Sequence, residues 1–311
     1  MPLPTQVHRD QALENVSVAY KNGEFIAQDL CPMVPVKHES NVYYVYSKDQ
    51  LVLPETRRAV RAEANKADFS LSTATYKCQE EALKNFISDR ERGNADPALN
   101  LEVDAVEHLT NLIMMRQEFD LAAIVTYTGT WANVTSLTST YAWSANTTLS
   151  NPIIFVDSAC STIIQQAGVV PNVCAIEDRT FRAIKEHVSM VDRIKYTSSE
   201  SIGEELIAKL FGIDKLLVAR GIQNTGAEGL ADATTNSFIW TDMAWVGYIE
   251  KNPGLKKPSA LYNFTMKEGN PVKVKRWRED NIESDAIEVS KLYTQQVVFS
   301  AAGYLINNTV Q

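Results

Sequence analysis

The residue types best suited to chemistry in this 311-residue chain come together once, at His187, Ser189 and Asp192. An imidazole beside a hydroxyl and a carboxylate is the inventory of a hydrolytic triad, in which the ring takes the serine proton and the acid orients the ring. Triad members are ordinarily gathered by the fold from distant parts of the chain, whereas these lie within six residues of one another. The spacing is better read as the polar end of a helix and the loop that follows it. Glu204 and Glu205 offer paired carboxylates, but adjacent helical positions do not face each other, and Glu204 has the spacing of a capping box begun at Ser201. Cys160 sits in an apolar helical stretch, which is the setting of a core thiol. The remaining histidines, His8, His38 and His108, are far apart in sequence.

The usual signatures of catalysis are missing. There is no G-x-G-x-x-G after a strand, no phosphate-binding G-x-x-x-x-G-K-[ST], no G-x-S-x-G and no H-E-x-x-H. Cys31, Cys78, Cys160 and Cys174 form no C-x-x-C pair and no zinc-like spacing, so neither a metal nor a cofactor is expected, and the thiols fit a reducing compartment. A formal net charge of -8 argues against a protein that grips nucleic acid by neutralising phosphates, though enclosing DNA needs no such contacts. No apolar run reaches the ~18 residues of a membrane span, and Met1-Pro2-Leu3-Pro4-Thr5-Gln6 lacks the basic-then-apolar order of a secretory signal. The Asn-x-Ser/Thr triplets at Asn133 and Asn146 therefore read as chance. The expectation is a folded protein, with 45% hydrophobic and 22% charged residues, that is not an enzyme.

The elements around these residues carry more information. Residues 1–41 read as an extended N-terminal segment punctuated by Pro2, Pro4, Pro32 and Pro35, able to lie across a surface. Val42-Tyr43-Tyr44-Val45-Tyr46 is β-branched and aromatic, and Phe69 to Tyr76 alternates, so the two read as an outgoing and a returning strand. The connection between them is much longer than a usual hairpin loop of about 2–5 residues and is charged, with Arg57, Arg58, Arg61 and Glu63 among its residues. It is an arm, and its charges are candidates for contacts with a neighbouring subunit. A helical pattern then runs from Pro97 to Thr128, with Asp96 as its cap, Leu99, Val103, Val106, Leu109, Ile113, Leu121 and Ile124 along one face, and Gly129 as its stop. At ~1.5 Å per residue such a helix is roughly 48 Å long. Arg116 and Glu118 on it are read as a further candidate pair for contacts between subunits.

After a Thr/Ser/Asn-rich connection, helices and strands alternate. A helix from Asn151-Pro152 ends at Gly168, and Val169 to Ile176 is strand-like. Asp178 is placed to cap a short helix over Phe181, Ile184 and His187, and Gly212 closes the helix opened near Ser201. Leu216-Leu217-Val218-Ala219 is a buried-strand run, and Lys273 to Trp277, Ala286 to Leu292 and Gln296 to Ile306 are later strands.

This order of parts resembles the major capsid proteins of tailed bacteriophages with the HK97-like fold. The likeness is carried by Asp89-Arg90-Glu91-Arg92 through Pro97-Ala98-Leu99-Asn100-Leu101, by Glu186-His187-Val188 to Asp192-Arg193-Ile194-Lys195-Tyr196, and by Glu205 to Asp214 followed by a strand and Asn224-Thr225-Gly226-Ala227-Glu228-Gly229. The resemblance implies an α+β fold. It would comprise an N-terminal arm at 1–41, an extended loop at 42–78, and a peripheral domain at 79–169 with a spine helix at 97–128. An α/β axial domain would follow at 170–265, with return strands of the peripheral domain at 266–311. It implies a structural protein that self-assembles through hexamers and pentamers into an icosahedral shell around double-stranded DNA. Assembly would take place in the host bacterial cytoplasm, with a portal and possible separate scaffolding and decoration proteins as partners. No helical region precedes the arm, so no built-in scaffolding segment is expected, and no lysine matches a cross-linking site. The alternatives are a subunit of an encapsulin-like compartment and, with no polar cluster to support it, a soluble α/β enzyme.

Overall fold

In a computed structural model that describes residues 25–45, 53, 55–66, 72–95, 100–194, 203–226, 236–266 and 272–311, the chain builds two five-stranded sheets joined by one long helix. In chain order the elements are α1 (Ala27–Leu30), β1 (Met33–Val36), β2 (Ser40–Val45), β3 (Ser72–Lys77), β4 (Gln79–Ser88), α2 (Asp89–Asn94) and α3 (Leu101–Thr126). They continue with β5 (Asn133–Ser136), α4 (Pro152–Ala167), β6 (Val173–Glu177), α5 (Asp178–Glu186), α6 (Val188–Ile194), α7 (Glu204–Leu210) and β7 (Lys215–Ala219). The chain closes with β8 (Ile222–Asn224), β9 (Asn236–Phe238), β10 (Met243–Gly247), β11 (Leu261–Met266), β12 (Lys273–Glu279), β13 (Ser284–Val297) and β14 (Gly303–Asn307).

The first sheet is organised by β13. Its 14 residues pair along one edge with β4 and along the other with β12 and then β11, while β1 adds in parallel outside β11. Two strands expected at Ala286–Leu292 and Gln296–Ile306 are therefore one long strand followed by a break and β14. The second sheet runs β5-β14-β10-β6-β7. Period-two alternation divides its side chains between two cores. Ala175, Leu217, Trp245 and Leu305 face α1 and the C-terminal half of α3. Cys174, Ile176, Val218, Val246 and Ile306 face α4 to α7. β11 lies in the first sheet and β14 in the second, so the chain after Leu261 contributes to both sheets, across the expected boundary between 170–265 and 266–311.

α3 spans both sheets. Its Ala105, Leu109 and Ile113 pack on Ile87, Ile287 and Val289 of the first, and its Leu121, Ala122 and Val125 enter the core of the second. The helix is shorter than its sequence pattern. Asn100 has non-helical backbone angles and accepts a hydrogen bond from Val103 N, so it takes the cap expected at Asp96; residues 96–99 lie outside the described part. The 26 residues rise roughly 39 Å at ~1.5 Å each. The helix ends before Gly129, at an extended Tyr127 whose ring lies so near Gly129 that an added Cβ would meet it at 2.6 Å.

The α4 prediction holds in detail: Asn151 caps Ile153 N, Pro152 opens the helix and Gly168 closes it in the left-handed region at φ 69°. Asp178 begins α5 without capping it, and His187 falls just beyond its end. Ser201 lies outside the described residues, and Gly203 occupies the cap position of α7, so Glu204 is the first helical residue and the expected box does not form.

Candidate functional site

The one cluster with the makings of a triad is a structural joint. His187 and Ser150 are both buried, and Ser150 Oγ lies 3.0 Å from His187 Nε2, with His187 Nδ1 2.7 Å from Ser189 Oγ. Ser150 Oγ also donates to Thr147 O and accepts from Thr147 N, so its lone pairs and proton are engaged in a local cap. Asp192 takes no part in these bonds. Burial holds the His187 pKa below the ordinary imidazole value, which keeps the ring neutral. The bonds tie the connection before α4 to the start of α6, and a buried hydroxyl in that arrangement has no room to meet a substrate. Among the described residues no group of three or more His, Cys, Asp or Glu side chains could hold a metal ion. Nor is any helix there long and apolar enough to cross a membrane.

The residues marked for contacts between subunits divide. Arg57, Arg58, Arg61 and Glu63 are all exposed, and none has an ion-pair partner among the described residues. They stand on a ribbon in which β2 and β3 pair only with each other, from Ser40↔Lys77 to Val45↔Ser72. At its root the ribbon is fastened by aromatic packing: the Tyr76 ring stacks on Phe264 at 4.7 Å and the Tyr43 ring meets it at 5.3 Å. The described tip has local order of its own, since Asn65 donates to Glu55 O, Glu55 accepts from Arg57 N, and Arg61 takes a left-handed turn at φ 66°.

Arg116 is exposed on α3 and pairs with Asp120 one turn on, the two nitrogens and oxygens approaching to 3.0 Å. Glu118 was expected beside it as a surface charge and is instead fully buried, at 0% exposure. Its carboxylate accepts from Ile26 N at 3.2 Å, Ala27 N at 2.7 Å and Trp240 Nε1 at 2.6 Å. One side chain thus fastens the first turn of α1, the middle of α3 and the loop before β10. Burial raises its pKa, and the three donated bonds work against that rise. The helical register held the signal: positions 118, 121, 122 and 125 share a face with the core.

Sequence reasoning missed a second feature, a charge network where β4, α2, α3 and the β12–β13 hairpin converge. Arg276 forks onto both oxygens of Glu102 and reaches Asp285; Arg92 binds Asp285 at 2.6 Å; Arg278 grips Asp89 with both of its terminal nitrogens. Hydrogen bonds from Arg92 and Arg276 hold the Asp285 carboxyl down to about 2. These residues are spread from 89 to 285, and the pairings of β13 with β4 and with β12 bring them together.

Among the described residues no nucleophile and base meet at an open cleft. What the fold presents is a two-sheet body that carries the β2–β3 ribbon, and the chain is similar to known proteins along nearly all of its length. The chain is 26% identical over 305 residues to the major capsid protein of Burkholderia phage BcepMu, covering 96% of this chain and 95% of the relative. A phage-related protein from Bordetella bronchiseptica RB50 superposes with a TM-score of 0.74 at 23% identity, covering 96% of this chain and 97% of that one. The capsid of cyanophage P-SCSP1u superposes at 0.66 with 11% identity over 92% and 89% of the two chains. The same fold extends to an encapsulin from Synechococcus elongatus PCC 7942, at 0.57 and 11% identity over 100% and 98%. No family model matches the sequence.

Proposed function

We propose that this chain, a homologue of phage major capsid proteins with their HK97-like fold, is the subunit of an icosahedral shell that encloses double-stranded DNA. The observation that carries this reading is the likeness to a capsid protein over 96% of the chain together with an arm whose Arg57, Arg58 and Arg61 pair with no carboxylate among the described residues. The ribbon would lie over an adjacent subunit. A two-stranded ribbon presents unpaired backbone along its edges, which can add to a neighbour's strand. Arg57, Arg58, Arg61 and Glu63 would supply charge contacts that set partner and register, and Arg116 would add one from α3.

Each contact is modest, and closed symmetry multiplies it. Around hexamer and pentamer centres the second sheet and its helices would form the axial body, with the first sheet and the N-terminal half of α3 as the peripheral one. The spanning helix α3 and the Glu118 joint would make the two move as a unit. The net charge of -8 suits containment of DNA without a phosphate grip. A portal and separate scaffolding or decoration proteins would complete the particle, which would assemble in the cytoplasm of a bacterial host and end as the virion capsid. The chain would be no enzyme. An encapsulin-like compartment is the second reading, favoured only by the shared fold, and the content of the particle separates the two.

The test is reversal of the arm's charge. Arg57→Glu, Arg58→Glu and Arg61→Glu together should leave the subunit folded, as judged by its melting temperature, and reduce shell formation by at least tenfold in sedimentation. Normal particles from that variant would remove the arm from the account.

A further inference from the structure

Lys291 of β13 has only 5% of its surface exposed, and among the described residues its ammonium makes one hydrogen bond, to Gln117 Oε1 of α3 at 2.5 Å. Among the described residues no carboxylate pairs with it; its other company is the Tyr293 ring, 5.3 Å away. Burial depresses its pKa below the ordinary lysine value. A buried ammonium is costly unless paired, and lysine is almost never buried alone.

Lys291 lines a cavity of about 160 Å³ whose walls are Met33, Ile113, Met114, Val272 and Val289, with Gln28 and Thr110, whose hydroxyl is turned to Val106 O, completing the lining. That size accepts a single branched aliphatic or small aromatic group; a cavity of ~150 Å³ holds a benzene. The cavity opens beside Gln28 and Met33, which are exposed, whereas Ile113, Val289 and Lys291 lie deep. Apolar walls ending in a cation call for an apolar group accompanied by an anion.

The chain carries such a group and leaves it unseated. Leu53 of the arm is 92% exposed, and Glu55 follows two residues later, its carboxylate engaged among the described residues by Arg57 N and its backbone braced by Asn65. The equally bare Val60 is flanked by Arg58 and Arg61, whose charge would repel Lys291. We propose that the cavity floored by Lys291 receives the Leu53–Glu55 segment from the arm of a second copy, the leucine filling the space and the carboxylate pairing with the buried ammonium. This rests on the shell reading and assigns the arm a specific seat.

The test uses whole shells. Chains carrying Met33→Cys and chains carrying Leu53→Cys are assembled together, oxidised mildly and run on a non-reducing gel. A dimer band is expected from mixed shells and not from shells of either variant alone, and adding Glu55→Lys to the Leu53→Cys chain should cut its yield at least tenfold. A yield no greater than that of a Met33→Cys with Val60→Cys control would overturn the proposal. Wild-type shells give a reading that needs no cysteine: hydrogen exchange at residues 53–57 should slow at least tenfold on assembly, and unchanged exchange in regular shells would overturn the seat while leaving the shell reading intact. Failure of the wild type to form shells at all would remove both.

Discussion

Replacing Glu118 with alanine is the sharpest test of how the body is held together. The carboxylate serves three buried donors, the Ile26 and Ala27 amides and the Trp240 indole, and none of them has another acceptor within the described bonds. Leaving a buried donor unsatisfied costs about 1–3 kcal/mol. Three such losses that share one acceptor are not additive, and the variant also removes the cost of burying a charge, so the net loss should be about 3–5 kcal/mol. Glutamine keeps one acceptor oxygen, enough for the two donors now on Oε1, but turns an amide NH2 toward Ala27 N–H. Its cost should be about 1–2 kcal/mol. Urea unfolding of unassembled subunits measures both. A Glu118→Ala subunit within 0.5 kcal/mol of wild type, or a glutamine variant as damaged as the alanine one, would refute the claim that this side chain ties α1, α3 and the loop before β10 together.

Other expectations follow from the same bonds. Burial raises the Glu177 pKa to about 7 despite the bond from Asp242 N and the nearby Arg179. A raised folded pKa gives stability that is present below the unfolded carboxylate pKa and is lost as pH rises to about 7. Between pH 5 and 7.5 the wild type should therefore lose stability relative to Glu177→Gln in thermal melts, and parallel curves would contradict it. Asp285 is the opposite case: its contribution is present above the unfolded pKa and lost as pH falls toward about 2. Asp285→Asn should lower the melting temperature at pH 7, with the gap closing below about pH 3. At the root of the arm, Phe264→Ala should cost about 3–5 kcal/mol and speed proteolysis within the ribbon, while an unchanged cleavage rate would mean the aromatic stack does not hold it.

The order of parts was legible because it is written in local chemistry. Prolines, a β-branched and aromatic run, a capped helix and a glycine stop are each read within a few residues of sequence, and α4 shows how accurate that can be. What was hidden depends on partners far along the chain. β4 has the sequence Gln79-Glu80-Glu81-Ala82-Leu83-Lys84, whose residues favour helix, and only its pairing with β13 some 200 residues later makes it a strand. The arginine–carboxylate network inherits that invisibility. The start of α3 is at Asn100 and not at the Asp96 read from the sequence, because Asn100 itself has non-helical backbone angles and a side chain able to cap Val103 N. Glu118 was misread by type: a charged residue on a long helix was taken for a surface residue, although its register put it on the buried face. His187 is read from sequence as part of the polar end of a helix; its partner Ser150 lies 37 residues away, and its burial makes it a joint in the fold.

The central claim is assembly, and electron microscopy of the protein made alone and then together with the products of neighbouring genes tests it most directly. The account predicts uniform shells tens of nanometres across, containing double-stranded DNA when the packaging partners are present. Shells filled with a protein cargo would make this a compartment subunit, and small monodisperse particles in both preparations would contradict the account.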